Sequence, residues 1–458
     1  MTHDGLRGGG CRSHALTRRS TGLRAVASLL FAWASVTPLA GEAQALTLDD
    51  ALGAALGAHP SLMAANAHVT SASEAGDAAR AARLPGAAIT ATLTRFQEPM
   101  VVAPFHSLDF SSPPTFDRTL VQGQLAAAYT LFDGGERSSR IAAADAAHAG
   151  SLSARDAAEM ELLHQVVSAY VDVLSARVVR DAAEAQALSL TSELARARRH
   201  FEAGSAPEVE ILRVSATLEG ARAQEVGARA AVGLAERALA RLMGAEPGSV
   251  TGRPLGDITA RPGVPGAEAP RSPLVAQARH SVTAAEARLS GERAGRLPDI
   301  RAGAGLLDFG TVSTSHVLEW QAGIEVSWPV FTGGARNAAV REAEAAVALA
   351  SARLEVTELE VAQATDAAST AIVEADARAQ ALDAAVLQWE EVARIESLAL
   401  EAGSGTQSDM LGAQAGLFHA RAGSARARYD AVLARVALAR ARGDLDREWI
   451  ANALEVSR

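Results

Sequence analysis

The sequence predicts an α+β protein: very long helices of the coiled-coil kind, joined to four β-strands per chain, with the whole plan written twice. Three observations predict it. Short motifs recur at a fixed spacing: Tyr129-Thr-Leu-Phe-Asp-Gly-Gly135 returns as Trp328-Pro-Val-Phe-Thr-Gly-Gly334, and Phe201-Glu-Ala-Gly-Ser205 returns as Leu400-Glu-Ala-Gly-Ser404. After each Gly-Gly pair runs a stretch almost free of helix breakers: 335–402 holds neither Gly nor Pro, and 136–203 holds only Gly150. Ahead of each pair, apolar and polar residues alternate with the period of a strand.

The chain has 458 residues, and all 43 of its basic residues are arginine. Apolar residues make up 48% and charged residues 21%, a balance that excludes wholesale disorder. Arginines at 7, 12, 18, 19 and 24 precede an apolar stretch, Ala25 to Ala40, and the small-residue site Ala43-Gln44-Ala45. This predicts a signal peptide over 1–45; the alternative, a membrane anchor, needs roughly 20 apolar residues. Cleavage removes five arginines, two acids and the only cysteine, Cys11, so the formal charge moves from −10 to −13. Nucleic acid is therefore excluded as a partner, and no disulfide, thiol nucleophile or lipid-bearing cysteine is expected.

The mature chain reads as a first repeat over 46–247, a Pro- and Gly-rich connector over 248–272, and a second repeat over 273–458. Each repeat opens with a helix, Leu48 to Arg83 and Pro273 to Arg296, ended by Leu-Pro. The upstream matches, Pro60 with Pro273 and Pro85 with Pro298, lie 213 apart, whereas the Gly-Gly pairs lie 199 apart. One insertion of 14 residues, placed in Gln97 to Asp117, reconciles the two spacings. Two strands follow in each repeat, over 84–96 and 120–131, then 300–306 and 319–328. In the last, Trp320, Ala322, Ile324, Val326 and Trp328 share one face, against Glu319, Gln321, Gly323, Glu325 and Ser327. One apolar face fits either a soluble core or a membrane strand with lipid outside and water inside. The next helices, at 1.5 Å per residue, would reach ~100 Å. They turn at Ala-Gly-Ser into second helices over 207–243 and 406–442.

Membrane strands cannot leave an open sheet edge, because lipid offers no hydrogen-bond partners. Four strands cannot close a barrel, the small case having about eight, so geometry leaves a dimer with eight strands or a trimer with twelve.

The opening Leu46-Thr-Leu-Asp-Asp-Ala-Leu52 and Ala58-His-Pro-Ser-Leu62, the Phe-Asp-Gly-Gly-Glu-Arg137 and Phe-Thr-Gly-Gly-Ala-Arg336 corners and the duplication resemble the TolC family of outer-membrane efflux proteins. The resemblance spans the whole mature chain. It implies a homotrimer with one shared 12-stranded barrel through the outer membrane of a Gram-negative bacterium and a helical tube across the periplasm. It also implies a periplasmic adaptor and an inner-membrane pump as partners, with outer-membrane lipid around the barrel. Gly134, Gly135, Gly333 and Gly334 become strand-to-helix corners, and Gly204 and Gly403 mark turns at the periplasmic tip. The segments Gln97–Asp117 and Asp308–Val317 become extracellular loops.

The same resemblance makes Asp409 a gate residue, with Glu210 its counterpart in the first repeat; Gly412 stands where the family's second acid would be. From the sequence alone both acids are equally well helix caps, since an N-terminal turn favours negative charge. No enzyme is expected and no cofactor or metal. The eleven histidines form no i, i+3 or i+4 pair, His164 and His200 read as polar helix-face residues, and Gly303-Ala-Gly305 lacks a dinucleotide loop's third glycine. Glu342 and Glu344 read as a solvated face. The alternatives to an exit duct are a periplasmic coiled-coil protein and an adaptor, both without a pore.

Overall fold

The computed structural model describes residues 45–102, 106, 111, 113–261, 271–312 and 316–456. The expected signal peptide, apart from Ala45, lies outside the described residues, as do parts of both hairpin connections and of the connector. The first half runs α1 (Leu48–Ala58), α2 (Pro60–Ala81), β1 (Gly86–Val101), β2 (Phe116–Phe132), α3 (Glu136–Glu202) and α4 (Glu208–Leu242). The second runs β3 (Ile258–Ala260), α5 (Pro273–Ala294), β4 (Asp299–Thr311), β5 (His316–Ser327), α6 (Ala335–Glu401), α7 (Gln407–Arg442), α8 (Arg447–Ala453) and β6 (Leu454–Val456).

The opening helix, expected to be continuous from Leu48 to Arg83, is broken at His59. Pro60 disfavours a helical conformation in the residue before it, and His59 is extended at φ −72°, ψ 128°. Its ring then caps α2, Nδ1 accepting from the Ser61 N–H at 3.3 Å. Thr47 and Asp50 close a reciprocal capping box on α1.

The four long strands form one antiparallel sheet in the order β1-β2-β4-β5, with β1 and β5 at its edges. The strands are longer than the alternation indicated. β1 passes Pro99 to Val101 by a register shift between Arg95 and Met100, which an edge strand tolerates because proline there forfeits no ladder bond. β4 likewise runs on to Thr311, so both connections are shorter than Gln97–Asp117 and Asp308–Val317. β5, by contrast, ends at Ser327, one residue before Trp328, since Pro329 follows with no N–H to donate.

Among the helices, α2 and α4 pack chiefly on α3, α3 also meets α5 and α7, and α6 packs on α5 and α7. The end of α7 abuts the start of α5: the Arg271 N–H donates to the Arg442 carbonyl at 2.8 Å. Gly443 permits this at φ 87°, because a Cβ there would lie 2.6 Å from the Arg271 backbone.

The main core gathers where the halves meet. α1, α8 and residues flanking β3 pack on α3 and α7 through Leu48, Leu52, Leu163, Val166, Tyr170, Val436 and Ile450. The Tyr170 hydroxyl lies 2.9 Å from the Leu46 carbonyl and 3.1 Å from that of Gly256, and burial pushes its pKa up to about 12. Arg177 donates to Glu236 at 2.6 Å and to the Arg253 carbonyl at 2.7 Å, tying α3, α4 and the connector together. The connector is not wholly irregular, since β3 pairs with β6 from the far end of the chain. α3 is also the one described helix apolar enough over 18 residues to pass for a membrane span, and 44% of that stretch is buried within the protein.

Candidate functional site: strand faces and hairpin tips

The site is a surface with two ends. At the sheet end, register places Ile89, Leu125, Leu306 and Trp320 in one cross-strand row and Tyr129, Ala302 and Ile324 in another. These rows lie on the apolar face, where Ile89 is 82% and Trp320 77% exposed. The other face carries Thr90 beside Gln124, Thr92 beside Gln122, and Arg301 opposite Glu325. A concavity on the sheet is lined by Gln124, Arg301, Gln321 and Glu325 among small residues. A sheet this apolar, uncovered on one face and polar on the other, is what a wall between lipid and water requires.

At the junction of sheet and helices stand the four corner glycines. Gly134 (φ 64°), Gly135 (φ 98°), Gly333 (φ 60°) and Gly334 (φ 87°) are all left-handed. Gly134 is also needed for close approach, since a Cβ would fall 2.8 Å from the Ala294 carbonyl. Asp133 secures the first corner. Its carboxylate accepts from the Gly135 and Arg137 N–H groups at 3.0 and 3.2 Å and pairs with Arg137 Nε at 2.5 Å. Burial alone would raise its pKa, but these donors outweigh it and hold the carboxyl below its usual range. The second corner has Thr332 at this place, and Arg336 instead reaches the Pro329 carbonyl at 3.2 Å.

At the far end, two helical hairpins turn at Gly204 (φ 70°) and Gly403 (φ 74°). Matching bonds close both turns. The Ser205 N–H and hydroxyl each donate to the His200 carbonyl at 2.9 Å, and those of Ser404 donate to the Ala399 carbonyl at 3.0 and 3.2 Å. Asp409 sits in the first turn of α7, bonded to the N-cap residue Thr406. Its N–H donates to Thr406 Oγ1 at 3.2 Å, and the Thr406 hydroxyl donates to its carboxylate at 2.6 Å. Glu210 sits in the first turn of α4, which has Pro207 as its cap and no side-chain cap bond. Asp409 is thus exposed and engaged as a cap, and Glu210 is half-buried in the matching turn. Sequence reasoning did not anticipate the nearby buried pair Glu193 and Gln407, 3.5 Å apart between α3 and α7, because nothing local signals a contact across 214 residues.

An amphipathic sheet open at both edges, carried on helices of 67 residues, defines a protomer of an outer-membrane channel. The chain belongs to the outer membrane efflux protein family, whose profile matches residues 51–245 and 264–444. It is 25% identical over 371 residues to the outer membrane efflux protein BepC of Brucella suis biovar 1, covering 77% of this chain and 78% of that one. It is 24% identical to the outer membrane protein TolC of Vibrio cholerae serotype O1, covering 92% and 95%. The crystal structure of the outer membrane protein VceC from Vibrio cholerae shares the fold, with a TM-score of 0.76 at 20% identity over 86% of this chain and 96% of that one. The protein resides in the outer membrane of a Gram-negative bacterium, and its relatives are channels rather than enzymes.

Proposed function

We propose that the protein is the exit duct of a tripartite efflux or type I secretion system: a homotrimeric, passive channel opened at its periplasmic tip by an adaptor and an inner-membrane pump. One observation carries this reading. The sheet and the helices are open at corresponding ends, β1 with α2 and α4 on one side and β5 with α6 on the other. In lipid the unpaired backbone of β1 and β5 must find partners, and further copies of the same chain supply them. Three copies give twelve strands and a pore lined by the polar face. The repeats over 46–247 and 273–458, with the connector between them, are then two quasi-equivalent wall segments of one tube. No residue is assigned a catalytic role; the pump supplies the energy. Among relatives, AprF is named for alkaline protease secretion and FusA for fusaric acid resistance; the cargo of this duct, a drug, a metal ion or a polypeptide, is chosen by its pump.

Glu210 and Asp409 would then ring the periplasmic entrance, up to six carboxylates per trimer, favouring cations and binding blocking divalent ions. Because Asp409 also caps α7, the test must remove charge without removing the cap. Asp409→Asn retains an acceptor for the Thr406 hydroxyl and loses only the charge. In planar bilayers, Asp409→Asn should weaken cation selectivity and divalent block, with Glu210→Gln adding a smaller effect. Unchanged selectivity and block in the double variant would leave Asp409 a helix cap, Glu210 an acid in the first turn of α4, and neither a gate residue.

A further inference from the structure

Away from the strand faces and the tips, a cavity of about 800 Å³ opens between α3, α6 and the junction of α7 with α5. It exists because α7 ends and α5 begins at this level while the flanking helices offer only small side chains. Its floor is Ala157 and Ala158 from α3 with Ala368 and Ala371 from α6, and Val361 and Leu274 stand at its sides. The size is that of a pocket for a drug-sized molecule.

Three polar features are set into this apolar lining. Ser272 is only 6% exposed, and its hydroxyl makes neither a cap bond nor any other hydrogen bond among the described residues. Ser272 lines the cavity, so its hydroxyl, with no protein partner among those residues, can donate to an oxygen of a bound molecule. Glu161 and Arg440 form an ion pair at 2.5 Å across the cavity wall. Burial would raise the Glu161 pKa, but Arg440 and Gln165 hold it low, so the pair stays ionised and sums to zero. His164, beside that pair, is pushed down by burial and by Arg440 and is neutral at pH 7. Glu360, exposed at the rim, has no ion-pair partner among the described residues, so the lining carries one uncompensated negative charge.

We propose that this cavity is a binding site for an amphipathic organic monocation. The apolar body lies on the alanine floor, a carbonyl, ester or ether oxygen accepts from the Ser272 hydroxyl, and the cationic group stays at the rim beside Glu360. That arrangement leaves the ligand's charge in contact with water, which avoids the cost of burying it. All four lining helices belong to one chain, so one site per protomer is expected.

The test uses rhodamine 6G, a fluorescent monocation carrying an ester, titrated with the purified full chain in detergent and read by fluorescence anisotropy. Saturable binding near one molecule per chain is expected. Glu360→Gln, at an exposed position, should weaken it by up to about fivefold through loss of the charge contact, an effect that added salt should reproduce in the unmodified chain. Ala371→Phe should abolish it by filling the floor, and Ser272→Ala should weaken it more modestly. Should Ala371→Phe fail to fold by circular dichroism, Glu360→Gln and Ser272→Ala still decide the matter. Purely non-saturable uptake, or saturable binding unchanged in the folded variants, overturns the proposal. The readout needs no conductance, so failure here and failure of the channel reading are separable.

Discussion

α3 and α6 occupy the same place in the two halves, each has 67 residues, and each follows a pair of left-handed glycines. Their surroundings are opposite. Twenty residues of α3 are buried within the chain, against three of α6, namely Val340, Ala368 and Ala375. Leu349, Val356, Leu359 and Val373 of α6 stand exposed, a sustained apolar exposure on one element that marks an interaction surface. The corners differ in the same sense. Asp133 and Arg137 are each less than a fifth exposed and lock the first corner through their side chains. At the second, the Arg336 side chain reaches the Pro329 carbonyl and Thr332 contributes its backbone carbonyl. Duplication supplied two equivalent segments. Their positions in the chain, one central and one at the edge, buried the first among intrachain neighbours and left most of the second uncovered.

The largest effect should separate the two helices directly. Leu163, 1% exposed in α3, should cost ~2–5 kcal/mol when cut to alanine, and the chain should lose its native melting transition by circular dichroism. Leu359, 65% exposed in α6, should leave that transition in place while lowering the temperature at which the oligomer dissociates on a gel. Equal damage to intrachain folding by both changes would break the contrast between centre and edge.

The next effect concerns the edge strand. Ile324→Arg places a charge on the lipid side and should cost ~2–4 kcal/mol if it lies near the membrane midplane, whereas Gln321→Arg on the polar face should cost much less. Urea denaturation in lipid vesicles measures both. Equal cost would deny that the two faces of β5 meet different solvents.

The smallest effect sharpens the comparison of the corners. Asp133→Ala removes bonds to two N–H groups and to Arg137, and should cost about 1–2 kcal/mol at pH 7. Thr332→Ala should cost a few tenths of that. Because the folded-state pKa of Asp133 is depressed, its contribution is fully present above the unfolded value of about 3.9. It fades as pH falls through the folded value. Wild type and Asp133→Ala should therefore differ at pH 7 and converge in strong acid. A gap that persists at low pH would assign the effect to packing instead.

The repeat was legible because it is written in residues with strong local consequences. α5 begins at the predicted Pro273, and α3 and α6 begin 199 residues apart, directly after the paired glycines. Alternation revealed which side chains share a strand face, since period two is a local property of an extended chain. It overran at Trp328 and stopped short at Phe96 and Leu306, because strand length depends on the ladder partners and on a bulge around Pro99. The continuous opening helix failed at His59 through a purely local cause, the proline that follows it. What the sequence determined by itself was the order of elements, the duplication, the apolar strand face and the turns. Only the tertiary structure decided that α3 is central and α6 peripheral, that β3 finds β6 across the chain, and that Ser272 and Glu360 border one cavity. Those outcomes depend on which distant segments meet, and burial is set by neighbours rather than by a residue's own preference.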